Sequence, residues 1–186
     1  MDKHFRFSAI LLAISFSMLS FTTSISASER KINMNQHWKF YHGCIANAEQ
    51  PSFNDSGWRV LDIPHDWSVE PLPVQREGIT IGPFSRMSIG GPDTGQTVGG
   101  EGWYRKELIL QPGDTDKILS LYFEGAYNQT EVWINGQKAC FNAYGYIPFR
   151  IDINKYCNAP GIPNTIAVNV INEGLNSRWY AGSGIY

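Results

Sequence analysis

The sequence predicts an all-β domain built as a β-sandwich, and three observations carry that prediction. Apolar and polar residues alternate in several short runs, turn formers are frequent, and no stretch beyond the N-terminal segment keeps a helical period. From Ile118 onward, Leu119, Leu121 and Phe123 alternate with Ser120, Tyr122 and Glu124, which sets one group on the core face of a strand. Val132 and Ile134 alternate with Glu131 and Trp133, and Asn135-Gly136 follows directly. That pair suits the positive φ angles of a two-residue turn, so residues 128 to 142 read as a hairpin. Ile166, Val168 and Val170 alternate with Ala167 and Asn169, and Trp103 to Leu110 supplies another strand before the Pro112-Gly113 turn. Short strands at this spacing indicate a sandwich. The 18 glycines and 10 prolines are spread without a repeat, and helix beyond single turns is not expected. Between Ser68 and Gly102 four prolines and eight glycines accompany little periodicity, and that segment reads as one long loop.

At 186 residues and 42% hydrophobic content, the chain fills one core and leaves little room for two. Charged residues at 17% and aromatics at 13% point away from disorder and from coiled coils. The net charge is −2 with no Lys/Arg cluster beyond the extreme N-terminus, which excludes the electrostatic footprint of a nucleic-acid partner. Lys3 and Arg6 precede the apolar stretch Phe7 to Leu19, and small polar residues run on to Ala27. This pattern is that of a secretory signal peptide spanning residues 1 to 27, and it predicts export to the periplasm or the extracellular space. The apolar stretch is shorter than the roughly 20 residues a spanning helix needs, so no membrane span is expected after cleavage. The mature domain then covers residues 28 to 186. Cys44, Cys140 and Cys157 are odd in number and lack CxxC spacing, so neither a disulfide framework nor a zinc site is expected. Three buried free thiols and a single Cys140–Cys157 bridge remain as alternatives.

No nucleophile-elbow, phosphate-loop, dinucleotide or H-E-x-x-H motif occurs, and His37, His42 and His65 have no spacing that sets two metal ligands on one face. No metal or cofactor is therefore expected. The acids Asp62, Asp66, Glu101, Glu107, Glu124, Glu131 and Asp152 lie on different predicted strands and loops, where they read as turn, cap and solvent-face residues. Asp152 stands where a strand runs into a turn and is expected to cap backbone N–H groups. Of the aromatics, Trp58, Trp67, Trp103, Tyr104 and Trp133 fall in or beside strands and are expected in the core. Trp179 and Tyr180 differ, because they sit among Asn176, Ser177 and Arg178 in a glycine-bearing polar stretch outside any alternating strand. Asn176, Ser177, Arg178, Trp179 and Tyr180 are the candidate ligand-facing residues, with packing as the alternative.

Seven runs in order resemble one family. Phe53-Asn-Asp-Ser-Gly-Trp58 with Ile63-Pro-His-Asp-Trp67, Gly102-Trp-Tyr-Arg-Lys106, Phe123-Glu-Gly125 with Val132-Trp-Ile-Asn-Gly136, Gly145-Tyr-Ile-Pro-Phe149 with Asp152, and the closing run from Arg178 to Tyr186 are similar to the N-terminal domain of glycoside hydrolase family 2. The nearest likeness is to its β-galactosidase branch from Bacteroides-like bacteria. The resemblance implies a jelly-roll sandwich, the sugar-binding domain, followed in the family by an immunoglobulin-like domain and a (β/α)₈ barrel. Two glutamates on that barrel perform retaining hydrolysis. The chain stops at Tyr186, inside the family's Gly-Ile-Tyr-Arg run, so the resemblance implies a fragment without either catalytic glutamate. It also implies that the loops before Gly-Ile-Tyr and before Gly-Trp-Tyr edge the active-site pocket. Where several branches carry a sugar-touching aspartate, this sequence has Arg178, a cation suited to pair with a barrel acid.

The leading expectation is an exported accessory domain of a β-galactosidase-like hydrolase, inactive alone, with a β-galactoside-type carbohydrate and the C-terminal domains of the same polypeptide as partners. A stand-alone carbohydrate-binding module and a structural sandwich packing on a partner domain are the alternatives, since fold does not separate them.

Overall fold

Alternating apolar residues build most of the strands in the computed structural model, which describes residues 29–88, 91–173 and 182–186. The expected signal peptide lies outside the described residues. The described residues from Asn33 to Tyr186 form one compact unit.

The strands are β1 (Trp38–His42), β2 (Arg59–Leu61), β3 (His65–Asp66), β4 (Thr80–Ile81), β5 (Phe84–Ser85), β6 (Gly100–Ile109) and β7 (Ser120–Phe123). They continue with β8 (Ala126–Tyr127), β9 (Thr130–Ile134), β10 (Gln137–Asn142), β11 (Phe149–Asp152), β12 (Pro163–Asn172) and β13 (Gly184–Ile185). Among the described residues the only helical pieces are short 3₁₀ turns, as the missing helical period implies. A six-stranded sheet runs in the order β10-β9-β12-β6-β1-β2. Beside it stand the pair β11-β7, the three-stranded set β3-β13-β8 and the small pair β4-β5.

The core follows from the alternation. Val132, Ile134, Ile166, Val168, Val170, Trp38, Phe40 and Tyr104 point from the large sheet into one cluster with Leu121, Phe123 and Ile151 of β7 and β11 and with Ala126 and Ile185 of β8 and β13. β12 is buried on its opposite face too. There Ala167 packs with Ala48, Trp103, Trp58 and Trp133, and the rings of Trp103 and Trp133 stack with centroids 5.4 Å apart. Buried Arg105 ties the covering segment down: it donates to Asp55 Oδ2 at 2.8 Å, to Gln50 O at 3.1 Å and to Ala48 O. Asn135-Gly136 closes the β9–β10 hairpin with φ of 51° and 79°, the left-handed pair its sequence predicts.

Two expectations need correction. The segment 68–102 is not one unstructured loop, because Thr80–Ile81 and Phe84–Ser85 pair as a hairpin and 3₁₀ turns occupy Trp67–Val69 and Gly91–Thr94. Strands of two residues carry no readable period, which is why the alternation does not reveal them. The cysteines are free thiols, but not all buried: Cys44 is exposed, while Cys140 and Cys157 are half-buried against the main core.

Candidate functional site

At one end of the large sheet the chain before β6 and the chain after β12 share a base. Gly99 approaches β12 so closely that a Cβ there would stand 2.1 Å from Asn172 O, so only glycine fits. Its carbonyl accepts from Trp67 Nε1 at 3.1 Å and lies 3.0 Å from His42 Nε2. Gly102 gives the Trp67 ring its seat, since a Cβ would meet that ring at 2.5 Å. Asn172 Nδ2 donates to Ser183 Oγ at 2.8 Å, which joins both ends of the segment between β12 and β13.

The His65–Asp66 strand holds the far end of that segment. Asp66 Oδ1 accepts from Ser68 N at 2.8 Å, from Ser68 Oγ at 2.5 Å and from Ser183 N at 2.8 Å, and Trp67 N donates to Ser183 O at 3.0 Å. Asp66 thus caps the 3₁₀ turn and anchors Ser183 with one oxygen. His65 Nδ1 lies 2.7 Å from the Tyr104 hydroxyl, and Nε2 lies 3.1 Å from Glu70 Oε1. Arg59 Nη2 grips both oxygens of Glu70 at 2.7 and 2.9 Å. Burial lowers the proton affinity of His65, against the pull of Glu70. Burial pushes the Glu70 carboxyl up, but hydrogen bonds from Arg59 and His65 outweigh it and hold it below its ordinary value. Burial, reinforced by Tyr186, Asp66 and Glu70, drives the Tyr104 phenol far above its ordinary value.

Beside this strand opens a cleft of about 440 Å³ lined by Asp66, Glu124, Tyr127, Tyr146, Gly182 and Tyr186, with the Tyr127 and Tyr146 rings 5.0 Å apart. A groove of about 370 Å³ lies over Cys140, Arg150, Asp152 and Tyr156. Among the described residues no group of three or more His, Cys, Asp or Glu side chains is placed to hold a metal ion.

Residues 63–185, which contain Asp66, Ser183 and the groups hydrogen-bonded to them, match the family described as glycosyl hydrolases family 2, sugar binding domain. The chain belongs to glycosyl hydrolase family 2. It is 40% identical over 166 residues to the beta-galactosidase BoGH2A of Bacteroides ovatus, covering 89% of this chain and 18% of that protein. A putative beta-glucuronidase of Formosa agariphila is 38% identical over 162 residues, or 86% of this chain and 14% of that one. Among solved structures, a family 2 member from Bacteroides cellulosilyticus superposes with a TM-score of 0.75 at 40% identity over 82% of this chain and 19% of its own. A beta-glycosidase from Bacteroides vulgatus gives 0.70 at 39% identity over 83% and 19%. The chain therefore spans less than a fifth of the length of these relatives.

As a family 2 sugar binding domain, the chain keeps its predicted candidates in one segment. Asn176, Ser177, Arg178, Trp179 and Tyr180 lie outside the described residues, and the structure describes only their anchors at Asn172 and Ser183. The predicted acids do hold structural posts. Asp152 caps Asn154 N at 3.0 Å, Asp62 accepts from His37 N at 2.8 Å, and Glu101 accepts from Trp103 Nε1 and Asn169 Nδ2. The alternation of strands did not single out His65, Tyr104 or Glu70 as a group. The one available signal was the run Ile63-Pro-His-Asp-Trp67, which places two titratable residues beside a tryptophan in a segment too short to be a core strand.

Proposed function

We propose that this chain is the carbohydrate-binding accessory domain of an exported β-galactosidase-like hydrolase, and that residues 176–180 form part of the rim of its sugar pocket. Its sheets are assigned a jelly-roll sandwich, and residues 1–27 an export signal. The observation that carries the reading is the shared base of two loops: Gly99 and Asn172 touch, and Asn172 in turn holds Ser183. These are the bases of the loops before Gly-Trp-Tyr and before Gly-Ile-Tyr, and they meet at one end of the sheet. Arg178 offers five donors there to sugar hydroxyls or to a carboxylate of a neighbouring domain. Trp179 and Tyr180 offer ring faces to the C–H face of a pyranose. Hydrolysis itself belongs to carboxyl pairs on another domain of the polypeptide, about 5 Å apart in a retaining enzyme.

A second role, packing on a neighbouring domain, is supported by the exposed side chains of Tyr144, Tyr146 and Ile147, which follow one another just before β11.

The test uses an enzyme carrying this domain together with a family 2 barrel. Arg178→Ala is expected to lower kcat/KM by more than about tenfold, about 1.4 kcal/mol of transition-state stabilisation, without changing the melting temperature. Glu107→Ala, an exposed change on β6, is the control and leaves kinetics unchanged. Wild-type kinetics in both variants, or an Arg178→Ala loss that follows stability alone, would overturn the rim assignment.

A further inference from the structure

The cleft beside β3 is carved by absent side chains. Gly145 sits so close to Tyr127 that a Cβ would stand 2.5 Å from its ring, and a Cβ at Gly125 would come within 3.1 Å of Gly145 O. At Gly182 a Cβ would run into the Tyr186 hydroxyl and Asp66 Oδ2. All three glycines line the cleft, so its space of about 440 Å³ depends on them, and that size falls in the range of small-molecule sites.

The groups around that space are of two kinds, acceptors and rings. The three hydrogen bonds that Asp66 accepts all fall on Oδ1, so lone pairs on Oδ2 remain for donors entering the cleft. Glu124, an exposed carboxylate just before β8, lines the same space. Tyr146 is 64% exposed, and its ring meets those of Tyr127 at 5.0 Å and Tyr144 at 5.6 Å. These contacts position the ring and leave part of its surface for a ligand.

We propose that this cleft is a sugar site built from residues other than 176–180, and that it selects neutral glycosides over uronides. Pyranose hydroxyls are donors that the two carboxylates accept, and the C–H face of the sugar packs on Tyr146. Among the described lining residues Asp66 and Glu124 are the only charged side chains, so a uronide would set a third carboxylate against two others. The family match, described as a sugar binding domain, spans every one of these residues except Tyr186, which favours a sugar here over a cationic side chain of a neighbouring domain. The proposal rests on the reading of the chain as a carbohydrate-binding domain, but its residues and its test are separate from those of the rim.

The test is an NMR titration of the full chain at neutral pH with methyl β-galactoside and with methyl β-glucuronide, followed at the amides of Gly125, Gly145 and Gly182. The galactoside is expected to give saturable shifts at these glycines with a Kd of the order of 1 mM, and the glucuronide to bind about tenfold more weakly. Tyr146→Ala is expected to weaken galactoside binding about fivefold. Glu124→Gln, at an exposed position where folding is not at stake, is expected to narrow the preference for galactoside about threefold or more by strengthening glucuronide binding. Phe141→Ala, an exposed ring on β10 that does not line the cleft, leaves both affinities unchanged. Galactoside shifts that avoid the three glycines, or a glucuronide affinity equal to that of the galactoside, overturn the cleft proposal and leave the carbohydrate-binding reading standing. No sugar-induced shift anywhere in the chain overturns both and leaves Tyr146 to the packing role. Shifts at the three glycines beside wild-type kinetics in Arg178→Ala support the cleft and overturn only the rim.

Discussion

β6 with β12 and β3 with β13 are both antiparallel pairs, yet they are held by different physics. The first runs ten residues in continuous register, from Pro163 opposite Ile109 to Asn172 opposite Gly100, and buries apolar side chains on both faces of β12. The second runs two residues, and its hold comes from one aspartate oxygen, a buried phenol against histidine, and a glycine without room for a methyl group. Apolar area stabilises the first pair at roughly 25 cal/mol per Å² and needs no special geometry. The second depends on a few polar contacts, each worth about 1 kcal/mol net, that fail separately. A long ladder therefore suits a scaffold, whereas a short polar seam can open without it.

The largest expected effect comes from breaking the scaffold. Ile166 is fully buried in the main cluster, and Ile166→Ala is expected to lower global stability by about 3–4 kcal/mol, measured by urea unfolding at neutral pH. Exchange at Val168 and at Ser183 should accelerate together, since global opening exposes both. A loss under about 1 kcal/mol would mean that the scaffold does not depend on this layer.

A smaller and more local effect is expected at the seam. Asp66→Asn keeps the size of the side chain but removes the charge from an oxygen that accepts from Ser68 N, Ser68 Oγ and Ser183 N. Charge-assisted bonds exceed neutral ones, and the expected cost is about 1–2 kcal/mol, read as faster exchange at Ser183 and Ser68 with Val168 nearly unchanged. If Val168 accelerates equally, the seam is part of the scaffold and the contrast drawn between the two pairs fails.

The same contrast sets how far the fold was legible in the sequence. Ile166, Val168 and Val170 announce β12 because a strand buried along its length must alternate, and Asn135-Gly136 announces its hairpin because few residues accept two positive φ angles. His65 and Asp66 announce nothing, since two residues have no period and their partners, Tyr104 and Ser183, come from distant parts of the chain. The hairpin of Thr80–Ile81 and Phe84–Ser85 was hidden for the same reason. Residues 176–180 stand out by the opposite signal, polar and aromatic types outside any alternation. Composition can suggest a ligand-facing segment in this way but cannot say what anchors it. The anchors were the part least visible, because a carboxylate in a turn looks the same in sequence whether it caps one N–H or ties two segments together.

The smallest expected effect sharpens the comparison by matching two ion pairs of equal length. Lys138 Nζ meets Glu131 Oε1 at 2.7 Å on the large sheet, and Arg59 Nη2 meets Glu70 Oε1 at 2.7 Å at the seam. Both cations are about half exposed and both carboxylates partly exposed, so Lys138→Met and Arg59→Met should each change global stability by less than about 1 kcal/mol. Only the second pair reaches a buried titrating group. Arg59 opposes protonation of His65, so Arg59→Met raises the folded-state proton affinity of His65 toward its unfolded value. The difference between the two states shrinks, and the stability lost in acid below about pH 6.5 becomes shallower. The stability of Arg59→Met, read by urea unfolding, should then vary less with pH than that of the wild type, while Lys138→Met retains the full wild-type dependence. If the two variants give the same pH profile, the Arg59–Glu70 pair is an ordinary surface contact, and the seam owes its hold to Asp66 and Gly184 alone.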